Sequence, residues 1–589
     1  MPIYNAPLDD LRAVLFDVLK IEDYRYIPAF GELDRDTINT FLHAAAKICE
    51  EVAQPLNQVG DIHGCQIKDG NVTTPPGFAE AYRTFAEGGW IGLALAQEHG
   101  GQNLPAVLAE SFYEILCSAN MAFSGYIELS EATMATLAEH AEPALKSFYL
   151  PRLASGQWTG AMHLTEAHAG SDLGMVRTRA ERAGDGTYRI HGQKIFITNG
   201  EHDLAENIVN LVLARLPDAP LGTRGLSLFL VPKYIPRQDG SLGARNAVEC
   251  ISLEHKMGLK AAPTGTYAYE GARGWLVGEE CGGITAMFSM VNDARLGVAI
   301  QGLAMAELAT QNAGRYACER IQGRTVGKTQ ASPPEPIVNH PDVRRMLLTM
   351  NSFGRPARAL GLWVALQIDI SRYHPDAGER ARADRRAALL TPVIKSVFTD
   401  WGCKVADLGI QVHGGHGYVR DTGVEQFLRD ARVTRIYEGT NGIQAIDLVR
   451  RKIRLHDTVR EYFDGIQATV TAARASNVAE ISTWALDLER MLARLDALTH
   501  NFATREYDNE AASGAVDYQA LFGLVSLGWM WLKILIAEDC EPRVELRTNH
   551  NFARFFFRRV LPEGLLHAEQ AALGGEDLMA PSAATFNGN

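Results

Sequence analysis

The sequence lacks the segments that would carry a chain into or across a membrane. Residues 1–20 include two aspartates before their apolar part and have no basic start, which is not typical of a signal peptide. The most apolar window, 521–537, is short and contains Lys533. We therefore expect a buried helix there and no stable membrane insertion.

Cysteine is scarce, and its eight copies are scattered with no CxxC pair. This spacing implies neither a zinc site nor a disulfide framework. We expect no bound metal, and a reducing cytoplasm is the simplest location.

The common nucleotide-binding motifs are also missing. No GxGxxG follows a predicted strand, which argues against a Rossmann site. The run GRTVGKT (323–329) is one residue short of a P-loop between its glycines and follows no strand, so we reject it as a phosphate site.

Positive charge is in deficit. The net charge is −13, and residues 457–589 hold 11 Lys and Arg against 19 Asp and Glu, a balance of −8. A polyanion such as nucleic acid, or an anionic membrane surface, is therefore not an expected partner.

The spacing of apolar residues divides the chain, which at 589 residues is too long for one core. After an N-terminal extension (1–35), helical spacing covers 36–157. Short runs rich in β-branched and aromatic residues predict an antiparallel sheet over 158–282. Helical spacing returns over 283–455 and continues in an extra C-terminal domain over 456–589. The predicted fold class is α+β, mostly helical.

Three motifs are ambiguous when taken singly. MHLTEAHAGSDLG (162–174) could bind a flat ring or a phosphate, or be an ordinary turn. KIFITNG (194–200) places Phe196 and Thr198 on one face of a strand, which suits a flat cofactor or a sandwich core. QVHGGHGYVRD (411–421) has glycines that let backbone approach a ligand, and no Cys or carboxylate cluster supports a metal there.

The fourth motif, RIYEGTNGIQ (435–444), places Glu438 before a glycine where an amphipathic pattern begins. This carboxylate is either a charge that favours a helix start or a base held over a bound substrate. Gly439 would let the chain turn sharply beside it.

In this order, LTEAHAGSD, KIFITNG, QVHGGHGYVRD and RIYEGTNGIQ resemble the acyl-CoA dehydrogenase family over residues 36–455. The start YNAPLDDLRAVL and the extra C-terminal domain are similar to the longer branch, which includes methylmercaptopropionyl-CoA and bacterial fatty acyl-CoA dehydrogenases. The resemblance implies a helical domain, an antiparallel β-sandwich or barrel, a four-helix bundle and the extra helical domain.

The resemblance also implies non-covalent FAD between the strand domain and the second helical domain, in a homodimer or a tetramer of dimers. Its flavin-ring contacts would be Met162, Leu164, Thr165, Ser171, Phe196 and Thr198. The dinucleotide tail would meet Arg320, Gln322, Gln411 and Gly415, partly from the neighbouring subunit, with Thr440 and Gly442 near the phosphates. Phe196 stands where many relatives carry Trp, and IQGRTVGK after Arg320 is longer than the common spacing.

By the same resemblance, Glu438 removes the α-proton of an acyl-CoA thioester while a hydride leaves Cβ for flavin N5. The α-proton is weakly acidic, so its removal needs a nearby carboxylate and a polarised carbonyl. The Glu438 N–H and a ribityl hydroxyl would hold that carbonyl. The substrate contacts would be Ser171, Arg295, Tyr437 and Gly439; Tyr437 is expected to pack against the thioester region, with a core tyrosine as the alternative.

Some relatives carry the base just before an arginine that corresponds to Arg295. Here that position is Ala294, which cannot act as a base, and this supports Glu438. Arg295 either steadies the loop or the carboxylate, or forms a structural salt bridge.

The resemblance implies fatty-acid β-oxidation with a medium- to long-chain acyl-CoA, an electron-transfer flavoprotein as electron acceptor, and a homodimer. The alternatives are a methylmercaptopropionyl-CoA dehydrogenase, an acyl-CoA oxidase and a non-catalytic flavin-containing DNA-binding homologue. The acidic C-terminal domain and Glu438 argue against the last. Pocket depth is expected to depend on the first helical domain and on residues 283–300.

Overall fold

A computed structural model of the protein describes residues 2–540 and 547–587, without the side chains at 288–292, 456, 540 and 547–548. The chain forms two compact units. Residues 44–297 make the middle unit, and the chain before and after them makes the outer unit.

Helices dominate the chain before the sheet. They are α1 (Leu8–Arg12), α2 (Arg35–Ile48), α3 (Leu56–His63), α4 (Phe78–Glu87), α5 (Ala106–His140) and α6 (Pro143–Ala154). Helix α5 is kinked at Asn120, whose side chain donates to the Ala53 carbonyl at 3.0 Å and accepts from the Phe123 N–H at 3.1 Å. These bonds satisfy polar groups that a kink would otherwise leave unpaired.

The middle unit contains a seven-stranded sheet and two small hairpins. The strands are β1 (Gln66–Lys68), β2 (Asn71–Thr73), β3 (Trp158–His163), β4 (Arg179–Arg182), β5 (Tyr188–Thr198), β6 (Asn207–Arg215), β7 (Leu226–Pro232), β8 (Tyr234–Pro236), β9 (Leu242–Arg245), β10 (Val248–Leu253) and β11 (Thr264–Val277). Strands β11, β5, β4, β6 and β7 pair in a closed ring, with β10 and β3 added at its sides. This confirms the predicted β domain.

Most strand pairs are antiparallel, as the residue pattern predicted. Strand β3, however, runs parallel to β6, and β4 meets β6 in parallel at Arg179 and Arg215. Strands β6 and β7 are buried along almost their whole length, which explains why they are apolar throughout instead of alternating.

A helical bundle follows, as predicted. Its elements are α7 (Gly283–Glu319), α8 (Pro341–Tyr373), α9 (Ala377–His413), α10 (Gly415–Tyr418), α11 (Glu425–Ala431) and α12 (Asn441–Arg450). Helices α7 and α9 cross closely at Gly302 and Gly402. A Cβ on Gly302 would lie 2.5 Å from the Phe398 carbonyl oxygen, so this crossing needs glycine.

The C-terminal region adds α13 (His456–Arg474), α14 (Ala479–Thr504), α15 (Asn509–Ser513), α16 (Ala515–Cys540), α17 (Arg547–Phe555), α18 (Glu563–Ala572), α19 (Glu576–Met579) and α20 (Ala583–Phe586). Helix α16 packs against α8, α9 and α12 of the bundle and against α13, α14 and α18 of the C-terminal region. Among the described residues, 515–539 is the segment long and apolar enough to cross a membrane, but 78% of its most apolar window is buried. This burial supports our interpretation of 521–537 as a core helix.

The N-terminal extension belongs to the outer unit. Asp10 of α1 accepts hydrogen bonds from Arg358 at 3.0 Å and from Arg355 at 3.1 Å. Arg358 is fully buried in α8 and also donates to Glu307 of α7 at 2.9 Å. A buried arginine placed between two carboxylates therefore ties the extension to the bundle.

Candidate active site

The predicted flavin-ring contacts lie on two segments of the middle unit. The end of β3 and the loop after it carry Met162, Leu164, Thr165 and Ser171, and the end of β5 carries Phe196 and Thr198. The Ile195 N–H donates to the Thr165 carbonyl at 3.0 Å. The structure therefore brings the two segments into contact.

The loop after β3 folds around the carboxylate of Glu166. This carboxylate accepts from the N–H groups of Arg177 at 2.8 Å and Thr178 at 2.9 Å. Burial alone would raise the pKa of Glu166, but the Lys194 ammonium and the donated N–H groups outweigh it and hold the pKa below its usual value. The carboxylate is thus ionised, and the hydrogen bonds that it accepts hold the loop in place.

Lys194 of β5 completes this arrangement. Its Nζ donates to Glu166 Oε1 at 2.9 Å and to the Leu164 carbonyl at 3.0 Å, and the side chain is fully buried. Burial lowers the pKa of Lys194 to about 8, against the opposing effect of the Glu166 charge.

Strand β5 has a bulge at Phe196. Lys194 pairs with Tyr267 and Ile197 with Gly265, so two residues of β5 face one residue of β11. The bulge interrupts the alternation assumed in placing Phe196 and Thr198 on one face, and Lys194 and Ile197 are both buried as a result.

Phe196 itself is strained and exposed. Its φ is +56°, a left-handed conformation that bulky residues rarely adopt, and it is 61% exposed. Backbone strain of this kind clusters at ligand sites. An exposed aromatic ring held there is suited to cover a flat cofactor.

Thr198 ends the same strand and stays partly exposed. Its hydroxyl lies 3.1 Å from that of Thr264, which accepts from Lys256 Nζ at 2.8 Å. A hydroxyl can both donate and accept, so Thr198 retains the capacity to bind a further polar atom.

The Glu438 turn lies in the outer unit. Glu438 and Gly439 both have positive φ, +54° and +81°. A Cβ on Gly439 would lie 2.6 Å from Gln444 Nε2, so glycine is needed there, as predicted for a sharp turn. The Glu438 side chain is exposed.

Helix α12 starts after this turn, at Asn441. Thr440 is its N-cap, and the Thr440 hydroxyl accepts from the Ile443 N–H at 3.3 Å, while Gly442 lies in the first turn. The first turn of α12 contains no acidic residue. Glu438 therefore stands outside the positions where a carboxylate stabilises a helix start, which weakens that interpretation.

Two buried side chains donate hydrogen bonds to backbone carbonyls of the Glu438 turn. Gln444 Nε2 donates to the carbonyls of Glu438 at 2.8 Å and Gly439 at 3.3 Å. Lys395 Nζ, in α9, donates to the Gly439 carbonyl at 2.8 Å and to Asn441 Oδ1 at 2.9 Å. Both Gln444 and Lys395 are fully buried.

The two remaining predicted substrate contacts, Tyr437 and Arg295, lie in different units. The Tyr437 hydroxyl donates to Gln301 of α7 in the outer unit. Arg295 lies buried in the part of α7 that belongs to the middle unit, directly after Ala294.

The predicted contacts of the dinucleotide tail are all exposed: Arg320, Gln322, Gln411 and Gly415. The end of α7 and the glycine-rich turn after α9 are in contact, because the Tyr316 hydroxyl lies 3.0 Å from His416 Nδ1 and the Tyr316 ring packs on His413. The Gln322 N–H donates to the Glu335 carbonyl at 2.9 Å.

The rejected P-loop resemblance at 323–329 is satisfied internally. The Thr325 N–H donates to the Glu335 carboxylate at 3.0 Å, and the Lys328 ammonium contacts the same carboxylate. These contacts lower the pKa of Glu335 to about 2. A carboxylate of the chain thus occupies the donors that a phosphate would need.

Comparison with known proteins places the chain in a family. Models of the N-terminal, middle and C-terminal domains of acyl-CoA dehydrogenase match residues 38–157, 161–272 and 282–453, and an acetyl-CoA dehydrogenase C-terminal-like model matches 462–581. A 3-methylmercaptopropionyl-CoA dehydrogenase from Ruegeria pomeroyi is 42% identical over 540 residues, 91% of each chain. The chain belongs to the acyl-CoA dehydrogenase family. Its named relatives are oxidoreductases that act on CH–CH bonds.

Solved structures share the fold. Caenorhabditis elegans ACDH-11 in complex with C11-CoA has a TM-score of 0.79 at 19% identity, covering 100% of this chain and 96% of that one. An acyl-CoA dehydrogenase from Bacillus anthracis complexed with FAD has a TM-score of 0.74 at 19% identity, covering 92% and 88%. The likeness to ACDH-11 extends through the additional C-terminal domain.

The residues on β3 and β5 fit the flavin that an acyl-CoA dehydrogenase of this fold would hold. They supply an exposed aromatic face, hydroxyl groups and backbone donors in one place, with a buried cation beneath. Among the described residues, no group of three or more His, Cys, Asp or Glu side chains could hold a metal ion.

The sequence analysis did not single out the residues that support this site, which are Glu166, Lys194, Lys395 and Gln444, although all but Lys395 lie inside the quoted motifs. A signal existed for the two lysines. Lys194 occupies an inward position of an amphipathic strand, and Lys395 interrupts the apolar run of α9. A lysine in such a position has to find buried acceptors, because an ammonium is costly to bury alone.

Proposed function

We propose that the protein is an FAD-dependent acyl-CoA dehydrogenase that introduces a trans-2,3 double bond, with Glu438 as the base. The observation that carries the proposal is the Glu438 turn. Its backbone is strained and braced by two buried side chains, its carboxylate is exposed, and α12 does not need that carboxylate as a helix-start charge.

In this reaction the chain positions groups and moves one proton. The Glu438 carboxylate takes the α-proton, and the Glu438 N–H binds the thioester carbonyl so that the α-carbon becomes more acidic. Gly439 leaves the space beside the carboxylate free of a side chain. Bound FAD would supply the acceptor for the hydride that leaves the β-carbon.

The β3 and β5 segments would hold that cofactor. Phe196 covers the ring, and the hydroxyl groups of Thr165, Ser171 and Thr198 provide hydrogen bonds. Arg320, Gln322, Gln411 and Gly415 would bind the dinucleotide tail, and Thr440 and Gly442 would lie near its phosphates.

The acyl group has two candidates. The first is a medium- to long-chain acyl group of fatty-acid β-oxidation. The second is the short 3-methylmercaptopropionyl group, favoured by the Ruegeria pomeroyi relative and by acidic residues on the helices expected to line the pocket. Burial, with the charges of Glu128 and Asp293, raises the pKa of Glu131 to about 8. Carboxyl groups so placed, whether ionised or protonated, are polar neighbours that disfavour a long aliphatic tail.

The test is an anaerobic titration of the purified holoenzyme with 3-methylmercaptopropionyl-, butyryl-, octanoyl- and palmitoyl-CoA, following the flavin absorbance. Bleaching by one thioester supports the reaction and identifies the chain class. Bound FAD that no thioester in the series bleaches would overturn the dehydrogenase proposal for these acyl groups.

Electron transfer from the reduced enzyme would go to an electron-transfer flavoprotein. Rapid oxygen consumption with hydrogen peroxide formation would favour an acyl-CoA oxidase instead. Retardation of DNA at low salt would support the DNA-binding alternative, against which the acidic C-terminal region argues.

We also propose a homodimer in the cytoplasm. Exposed apolar side chains lie beside the residues predicted to meet the dinucleotide tail: Ile321, Val326, Tyr418 and Val419. Such side chains are typical of subunit contacts. The seven cysteines whose side chains are described are free thiols, which suits a reducing compartment. A tetrameric mass by light scattering would contradict the dimer.

A further inference from the structure

The proposed reaction does not use the buried ion pair beneath the flavin-binding loop. Lys194 is fully buried in β5, and it contacts two acceptors on the loop after β3, the Glu166 carboxylate and the Leu164 carbonyl. Neutralising Glu166 explains the first contact but not the second.

The second contact determines where a backbone donor points. The Leu164 carbonyl and the Thr165 N–H belong to one planar trans peptide, so they point in opposite directions. Lys194 draws the carbonyl toward the buried interior at 3.0 Å. The Thr165 N–H is thereby directed away from Lys194, toward the side on which the flavin ring is proposed to lie.

The positive charge also reaches the neighbouring strand. His163 precedes Leu164 and is fully buried, and its Nδ1 lies 2.6 Å from the Tyr269 hydroxyl. Burial and the nearby Lys194 charge lower the pKa of His163 to about 3. The imidazole therefore stays neutral, and the cation at this place is Lys194.

A second buried pair in the same unit provides a comparison. Lys233 contacts the Glu201 carboxylate, which also accepts from Arg245 at 3.2 Å. Lys233 donates to the carbonyl of His202 at a longer 3.5 Å. It makes the same kind of ion pair without holding a predicted flavin contact.

We propose that Lys194 is a positioning residue for the flavin, holding the Leu164–Thr165 peptide in its binding orientation and favouring the reduced ring through its positive charge. The inference rests on the proposed FAD-dependent function. A cation near the ring stabilises the electron density that the ring gains on reduction, and such charges tune flavin electronics.

The experiment compares Lys194→Met, the double variant Lys194→Met/Glu166→Gln and the control Lys233→Met. Three quantities are measured: the FAD dissociation constant, the flavin midpoint potential and the unfolding temperature of the FAD-free protein. The double variant matters because removing one partner leaves an uncompensated buried charge, whereas removing both does not.

We expect Lys194→Met to raise the FAD dissociation constant about tenfold or more and to make the potential more negative, by about 30 mV per tenfold loss in the two-electron reduction equilibrium. The double variant should recover unfolding temperature and keep the affinity defect, while its potential should return toward that of the wild type because both charges of the pair are absent. Lys233→Met should lose unfolding temperature and keep wild-type flavin properties.

Wild-type FAD affinity in the double variant, or a wild-type potential in a folded Lys194→Met variant, would overturn the inference and leave Lys194 with a purely structural role. If Lys194→Met does not fold, the double variant carries the test. The two proposals fail in different ways. Wild-type protein that binds no FAD would overturn the proposed function, and this inference with it, whereas a wild type that binds FAD tests Lys194 alone.

Discussion

Two regions are built in the same way for different tasks: the flavin-contact region, formed by the loop after β3 and the end of β5, and the Glu438 turn. In each, a non-glycine residue with positive φ carries a predicted functional side chain, Phe196 in one and Glu438 in the other. In each, a fully buried lysine donates to a backbone carbonyl, Lys194 to Leu164 and Lys395 to Gly439.

The two lysines differ in what else they bind. Lys194 also contacts a carboxylate, so the middle unit holds its loop through an ion pair. Lys395 also binds the Asn441 side-chain oxygen, a neutral acceptor in the first turn of α12. In the proposed reaction the loop after β3 would orient backbone donors for the cofactor, whereas the Glu438 turn would orient a carboxylate for the proton transfer. Substitutions that disturb the loop after β3 should therefore weaken FAD binding, and substitutions that disturb the Glu438 turn should lower the rate of flavin reduction.

The largest effect tests this division directly. Glu438→Gln should slow flavin reduction by acyl-CoA about 10³-fold, because the general base is lost. FAD content should remain that of the wild type. Stopped-flow measurement of flavin bleaching checks the rate, and Glu569→Gln, an exposed change on α18, is the control. If Glu438→Gln lost both bound FAD and the rate of flavin reduction, the proposed division between cofactor binding and proton transfer would be wrong.

The next prediction concerns Lys395, the buried lysine that donates to the Gly439 carbonyl in the Glu438 turn. Lys395→Met removes the hydrogen bonds to the Gly439 carbonyl and to Asn441 Oδ1, which we expect to cost about 2–3 kcal/mol of unfolding free energy. The turnover number should fall about 10- to 100-fold through misplacement of Glu438. Chemical denaturation and steady-state kinetics measure both. Lys533→Met on α16, where burial also lowers the lysine pKa, is the matched control and should keep the rate.

The next prediction concerns the contribution of Lys194 to the pH dependence of the unfolding free energy. Burial depresses the pKa of Lys194 from 10.5 to about 8. Between those values the unfolded chain binds more protons than the folded one, so this residue makes stability rise with pH, by up to about 1.4 kcal/mol per pH unit. Lys194→Met should flatten that rise in denaturation curves from pH 7 to 10. A slope unchanged by the substitution would contradict the assignment.

The smallest effect comes from backbone strain. Replacing Phe196 or Glu438 by glycine should relieve a left-handed conformation and stabilise the FAD-free protein by about 1 kcal/mol each. Phe196→Gly should then weaken FAD binding, while Glu438→Gly should bind FAD and fail to turn over. Lys20→Gly, at an exposed residue with φ of +52°, is the control that should gain stability alone. A gain in the control but not at the two sites would show that neither is strained.

Much of the fold was predictable because it depends on local pattern. Helix α4 buries Phe78, Ala81, Tyr82 and Phe85 at helical spacing, and that spacing is visible in the sequence. The bulge at Phe196 was not predictable, since it requires an extra residue relative to β11, a strand reached only in the folded chain. The parallel pairing of β3 with β6 is likewise a property of the chain path.

The sequence by itself determined the order of helices and strands and the turn at Glu438, since Gly439 and the apolar pattern after it are local features. Only the tertiary structure decided which groups support the site. Lys194 reaches a carbonyl 30 positions away and Lys395 one 44 positions away. The physical reason is that a buried ammonium takes whichever acceptors packing brings to it, and packing depends on the whole chain.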